Sequence, residues 1–175
     1  MPHSTLPVTL AGSVNDYAKV WWASYTGIPA TWWEEQGVVF EGSNIYFSWD
    51  FTPSRKVRSP NFLDARSGQW NKSFRWEGGP KKFPLWPDFP AEMPETIYLS
   101  EGESDWGVYK FLGYPVWSVM QGSASKIDPE IFRSLADRGV KRVVLGFDDD
   151  QSGHKGADQL VEILKNCGLR AYVLP

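Results

Sequence analysis

Two stretches of the chain share one grammar. Ile97-Tyr-Leu-Ser100 runs into Glu101-Gly-Glu-Ser-Asp105, and Val143-Val-Leu-Gly-Phe147 runs into Asp148-Asp-Asp150-Gln-Ser-Gly153. Each is a short apolar run with β-branched residues that ends in carboxylates and a glycine and then takes up a helical pattern. That is how a buried parallel strand turning into a helix is written. Ligands of open α/β sheets gather outside the carboxyl ends of the strands. Glu101 is expected at one such end, and Asp148 and Asp150 at another. In extended backbone, residues two apart leave the same face, so Asp148 and Asp150 should point together and Asp149 away. Carboxylates crowded into one crevice repel each other unless a cation stands among them. Hard, solvent-open oxygen ligands suit Mg²⁺ or Mn²⁺ bridging to phosphates.

The ordered pair Glu101-Gly-x-x-Asp105 and Asp148-x-Asp150-x-x-Gly153, with Gly122-Ser-Ala-Ser125 between them, resembles the Toprim domain. That domain is shared by bacterial and phage DNA primases, topoisomerases and some nucleases. The resemblance covers residues 96–174 and implies an α/β fold with a central parallel sheet flanked by helices. It also implies metal-dependent chemistry on phosphodiesters. Asp148 and Asp150 are then the principal metal residues. Glu101 is the third acid, a metal ligand or a general base in polymerisation and general acid in strand rejoining. Asp105, one helical turn along, supports or caps; Gly102 and Gly153 permit close backbone approach. Ser123 in the glycine loop, and His154 and Lys155 at a helix start where amides attract anions, are candidate phosphate contacts.

Composition narrows the class. A hydrophobic share of 42% in 175 residues excludes disorder, and no run approaches the ~18 apolar residues of a membrane span. The N-terminus lacks a basic, then apolar, secretory pattern, so a cytoplasmic protein with no membrane partner is expected. The single cysteine, Cys167, excludes a disulfide framework and a Cys-rich zinc site; before Gly168 at a helix end it reads as a small core residue. The net charge of −3 conceals a division. Residues 54–82 hold Arg55, Lys56, Arg58, Arg66, Lys72, Arg75, Lys81 and Lys82 against Asp64 and Glu77. Residues 83–107 then carry Asp88, Glu92, Glu95, Glu101, Glu103 and Asp105 with no base. A basic stretch before an acidic one suits a protein that grips phosphates with the first and metal with the second.

Upstream of the acids the pattern is different. Ser13-x-x-Asp16 predicts a helix to about Tyr25, stopped by Gly27, and Pro29 opens a second one that Gly37 ends. Trp21, Trp22, Trp32 and Trp33 recur on these helices; aromatics at this spacing more often form core than stack on bases. Glu41-Gly-Ser-Asn44 predicts a hairpin between Val38–Phe40 and Ile45–Trp49, with short strands near Lys56–Ser59 and Lys72–Trp76. This region resembles the small α+β subdomain that precedes Toprim in primases, through Arg58-Ser59-Pro60 and Pro84-Leu85-Trp86. The proline-rich residues 87–95 mark the expected boundary, between an α+β subdomain at 1–95 and a catalytic domain at 96–175. Strands are expected at 97–100, 116–119, 142–147 and 169–174, and helices at 103–112, from Asp128-Pro129 to Gly139, and 153–167.

The resemblance implies the core of a phage or plasmid primase, a DNA-dependent RNA polymerase. It would make short RNA primers on single-stranded DNA from nucleoside triphosphates, as a monomer beside a replicative helicase domain or protein. A Toprim nuclease shares the carboxylates and differs in nucleophile; a non-catalytic nucleic-acid or partner-binding module is the third reading. The basic unit upstream favours the primase. Two departures from the primase pattern are evident: the lone cysteine leaves no zinc-binding module, and Leu174-Pro175 ends where further acids would follow. A minimal catalytic fragment is expected.

Overall fold

The computed structural model describes residues 16–50, 52–63, 70–78, 85–120 and 127–174, with backbone alone at 61–63 and 70–73. These residues fall into two compact units, the first drawn from 1–47 and 55–77, the second from 48–54 and 78–175.

In the first unit α1 (Tyr17–Thr26) ends at Gly27, whose φ of 72° turns its N–H back onto Ala23 O. A short α2 (Ala30–Glu35) follows. Trp22 and Trp33 are fully buried and meet edge to face at 5.3 Å, with Phe47 edge-on to Trp22 at 5.9 Å. These two tryptophans are core. Strands β1 (Val39–Glu41), β2 (Asn44–Trp49), β3 (Thr52–Leu63) and β4 (Trp70–Glu77) form a sheet in that order. The hairpin pairs Glu41 with Asn44 and leaves Gly42, at φ 59°, to make the turn, as a two-residue loop requires of its first position. Strands β3 and β4 run to 12 and 8 residues, longer than the short runs expected. The reason is a register shift between Ser59 and Phe62. Pro60 has no N–H for the ladder, so the strand bulges there and continues.

The second unit is a parallel sheet with three helices. Strands β5 (Thr96–Ser100), β6 (Val116–Ser118), β7 (Arg142–Gly146) and β8 (Arg170–Val173) lie in the order β6-β5-β7-β8. Helices α3 (Glu103–Phe111), α4 (Pro129–Asp137) and α5 (Gln151–Asn166) connect them in turn, and each adjacent strand pair is parallel. The apolar runs supply the core: Ile97, Leu99, Val143 and Leu145 are fully buried, with Phe132, Leu135 and Leu164 from the helices. Asp128 caps α4 by accepting from Glu130 N at 3.0 Å, with Pro129 at the first turn. The boundary expected at residue 95 falls inside this unit. Leu85 belongs to its core, Trp86 exchanges backbone hydrogen bonds with Ser118, and the Trp86 and Trp106 rings lie 4.3 Å apart. Proline density marks an irregular path; it does not say whether that path is packed. Cys167 is half-buried against the same core.

Leu145→Ala should lower the free energy of unfolding by about 2–5 kcal/mol, as a cavity in a packed core does. Asp128→Ala should cost about 1 kcal/mol through loss of the cap. Denaturant titration measures both; equal, near-zero effects would contradict this account of the core.

Candidate functional site

The order β6-β5-β7-β8 creates a place for a ligand. After β5 the chain crosses to β6 on one side, then returns to β7 on the other, so the connections diverge above the carboxyl ends of β5 and β7. That switch point is where open α/β sheets open a crevice. Ser100 pairs with Gly146 at this end, and the residues just beyond are the acidic motifs.

Glu101 follows β5 directly, and its Oε2 accepts the backbone N–H of Asp148 at 3.3 Å. Asp105, in the first turn of α3, folds back over Gly102: a Cβ at Gly102 would come within 3.3 Å of Asp105 Oδ2. Burial, then the charge of Asp148, hold the Asp105 carboxyl above its ordinary range, against a lowering hydrogen bond from the Gly102 backbone. Asp105 is thus placed beside Gly102 and near enough to Asp148 to feel its charge. The Glu101-Gly-x-x-Asp105 spacing carried that signal, because a helix beginning at Glu103 returns its first turn toward the strand end.

Asp150 is placed differently. Its N–H donates to Asp148 O at 2.8 Å, and its Oδ1 accepts from Gly153 N at 2.7 Å, capping α5. β7 ends at Gly146, so residues 148–150 form a tight turn, and the two-apart rule for extended backbone does not govern them. Gly153 has a steric explanation: a Cβ there would lie 2.0 Å from Asp148 O. The first turn of α5 packs onto that carbonyl, and no side chain fits between. Asp149, turned from the others, meets His154 Nε2 at 2.8 Å in solvent. His154 and Lys155 are exposed near the start of α5.

Tyr109 is a neighbour that sequence reasoning missed. A Cβ at Gly146 would lie 2.4 Å from its hydroxyl oxygen, so the phenol tip fills the space beside the end of β7. Burial, then the charge of Asp105, hold this phenol above its ordinary range. The i, i+4 spacing of Asp105 and Tyr109 on α3 was the available clue.

Among the described residues, no group of three or more His, Cys, Asp or Glu side chains is arranged to hold a metal ion. The donor chemistry nevertheless fits one. Carboxylates from adjacent strand ends crowd each other, and Mg²⁺ is ordinarily held by one or two carboxylates while water and phosphate oxygens complete its shell.

The basic residues are mostly engaged within the first unit. Arg55 Nε and Arg75 Nε bind the two oxygens of Glu77 at 2.8 and 2.9 Å, and Arg55 first, then Arg75, hold that carboxyl below its ordinary range. Lys56 and Arg58 are buried. Arg66, Lys81, Lys82 and Ser123 lie outside the described residues, as does the side chain of Lys72.

Because folding raises the Asp105 pKa, the protonated carboxyl is favoured in the folded state. Its stability contribution is full below the unfolded value and is lost as pH rises through the folded one. In chelator, Asp105→Asn should therefore melt above the parent at neutral pH, and the advantage should vanish in acid. Melting temperatures across pH 3–7 (approximate limits, spanning ordinary carboxylate titration) test this; a constant difference would refute it.

No protein-family model and no curated protein matches this sequence. Solved structures do. The primase fragment of the bacteriophage T7 primase-helicase protein superposes with a TM-score of 0.62 at 24% identity, over 87% of this chain and 64% of that one. The Aquifex aeolicus primase, with its zinc binding and RNA polymerase domains, matches with a TM-score of 0.54 at 17% identity, over 76% of this chain and 34% of that one. Primase domains in a structure of T7 lagging-strand DNA polymerase, bound to an RNA/DNA hybrid and dTTP, match with a TM-score of 0.51 at 20% identity, over 87% of this chain and 78% of that one. The chain thus spans 64% and 34% of the first two structures. At these identities the likeness is one of architecture: this chain has a primase-like fold.

Proposed function

We propose that the chain is the catalytic portion of a Toprim primase, joining ribonucleotides on a single-stranded DNA template. The observation that supports this is the Glu101 carboxylate accepting the Asp148 amide, with Asp105 near enough to feel the Asp148 charge, at the switch point of a primase-like fold. In the reaction a 3′-hydroxyl attacks the α-phosphate of a nucleoside triphosphate and pyrophosphate leaves. Asp148 and Glu101 would hold Mg²⁺ or Mn²⁺, and Asp150 would add Oδ2, since its Oδ1 caps α5. When bound, the cation neutralises phosphate charge and lowers the pKa of the hydroxyl.

The chain's own groups do the rest. Glu101 fixes the Asp148 loop through its N–H and accepts the proton of the attacking hydroxyl. Asp105, crowded by Asp148, tightens the negative field and so favours a cation over an empty site. Gly153 keeps the head of α5 against Asp148, where Lys155 offers positive charge, and His154 a ring nitrogen, to the leaving phosphates. Of the basic residues of 54–82, Arg66, Lys72, Lys81 and Lys82 are proposed for template phosphates, since Arg55 and Arg75 bind Glu77 and Lys56 and Arg58 are buried. A helicase domain or protein is the natural partner, in keeping with the T7 primase-helicase likeness. Among the described residues no helix is long and apolar enough to cross a membrane.

Ribonucleotide incorporation on single-stranded DNA should require Mg²⁺ or Mn²⁺, and Asp148→Asn or Glu101→Gln should each lower it about a hundredfold or more. Mg²⁺ should also raise the parent's melting temperature by the linkage term RT ln(1 + [L]/Kd), and should do so little in Asp148→Asn. Metal-dependent nicking of plasmid without incorporation would replace the primase by a nuclease. Nucleic-acid binding indifferent to metal, with neither activity, would leave a binding module.

A further inference from the structure

Three phenols join α3 to the sheet. The Tyr98 ring of β5 lies 6.1 Å from the Tyr109 ring of α3, with the planes 29° apart. Tyr114, just past α3, meets Tyr98 at 4.9 Å and Tyr109 at 5.9 Å. Tyr98 in turn pairs with Val144 of β7, two residues before Gly146. Helical side chains lean toward the start of their helix, so the Tyr109 ring points back along α3 toward Asp105. It arrives at Gly146, where an added Cβ would lie 2.4 Å from Oη and 3.0 and 3.2 Å from Cζ and Cε2. Glycine within a strand marks such a close approach.

A ring packed between two others has little room to turn away. Close-packed protein transmits a displacement rather than absorbing it, so the tip of Tyr109 limits how near α3 can come to the end of β7. Asp105 precedes Tyr109 by one turn on that helix, and Asp148 follows Gly146 by two residues. Each side of the contact therefore carries an acid. The charges register the same neighbourhood: after burial, Asp148 acts on the Asp105 carboxyl and Asp105 acts on the Tyr109 phenol. A divalent cation is held tightly only where the groups around it keep their places without reorganisation. Two acids on separate elements, repelling each other, need something uncharged to keep their elements in place.

We propose that Tyr109 is a positioning residue: its ring is a strut between α3 and the end of β7 that sets the spacing of Asp105 from Asp148, and with it the affinity of the crevice for a divalent cation. This deepens the primase reading, and rests on its metal site, by naming what keeps that site in shape.

The test measures Mn²⁺ affinity of the whole chain by electron paramagnetic resonance, without nucleotide, beside melting in chelator. Tyr109→Leu is too short to reach Gly146 and should weaken Mn²⁺ about tenfold or more, as loss of a supporting group does. Tyr109→Phe keeps the ring edge and should bind as the parent does. Gly146→Ala pushes the ring off its seat and should weaken Mn²⁺ in the parent. It should add little to Tyr109→Leu, because the two changes break one contact. Leu164→Ala, a fully buried core position near the far end of α5, should lower the melting temperature and leave Mn²⁺ affinity unchanged, which separates positioning from loss of stability. Unchanged affinity in Tyr109→Leu, an equal loss in Tyr109→Phe or Leu164→Ala, or additive losses at 109 and 146 would overturn the proposal. A parent that binds no Mn²⁺ would overturn it together with the metal site. Mn²⁺ bound as expected, without ribonucleotide incorporation, would sink the primase reading and leave the strut standing.

Discussion

The parallel pairing of β5 with β7 is the constraint on which the site depends. Its register sets Ser100 beside Gly146, so the chain leaves both strands at the same height. Only then can Glu101 reach the amide of Asp148. The pairing is held by side chains that carry no chemistry, the fully buried Ile97, Leu99, Val143 and Leu145. A slip of one residue would turn these outward and would separate the acids as well. Core and site are therefore specified by the same ladder.

The acids on that ladder work against the fold. Like charges in partial burial disfavour each other's ionisation, and Asp105 shows the result. The local backbone accommodates the crowding by donating to it. Gly102 offers its backbone to Asp105, Asp148 its amide to Glu101, and Gly153 its amide to Asp150. Glu101, Asp105 and Asp150 are thus each tied to the main chain, which orients them. On the proposed reading, such a site would suit a cation with open coordination positions.

The parallel half of the molecule was legible in the sequence because its signals are local. Each strand is a short apolar run, and each helix has its own stop or cap, Asp128-Pro129 being the plainest. The β1–β2 hairpin was legible for the same reason, through Gly42. What stayed hidden depends on pairing at a distance. Pro53 and Pro60 break the alternation of β3, so its 12 residues read as a fragment, and only the partner strand shows that it continues past a bulge. Proline likewise disguised residues 87–95, where Phe89 packs against Trp117. At the site, the rule for extended strands does not govern Asp150, because β7 ends before the motif begins, and the helix-capping role of its Oδ1 was not foreseen. Tyr109 belongs to no motif, and its i, i+4 spacing from Asp105 is its one trace in the sequence.

The space beside Gly146 belongs to two residues at once. The Tyr109 hydroxyl lies where any side chain at Gly146 would have to begin, so the sizes at the two positions are exchangeable rather than independent. Among descendants of this sequence, a larger residue at 146 becomes admissible only once the ring at 109 has shrunk or turned aside. The reverse path meets the same gate, so the two positions should change in concert through the history of the fold.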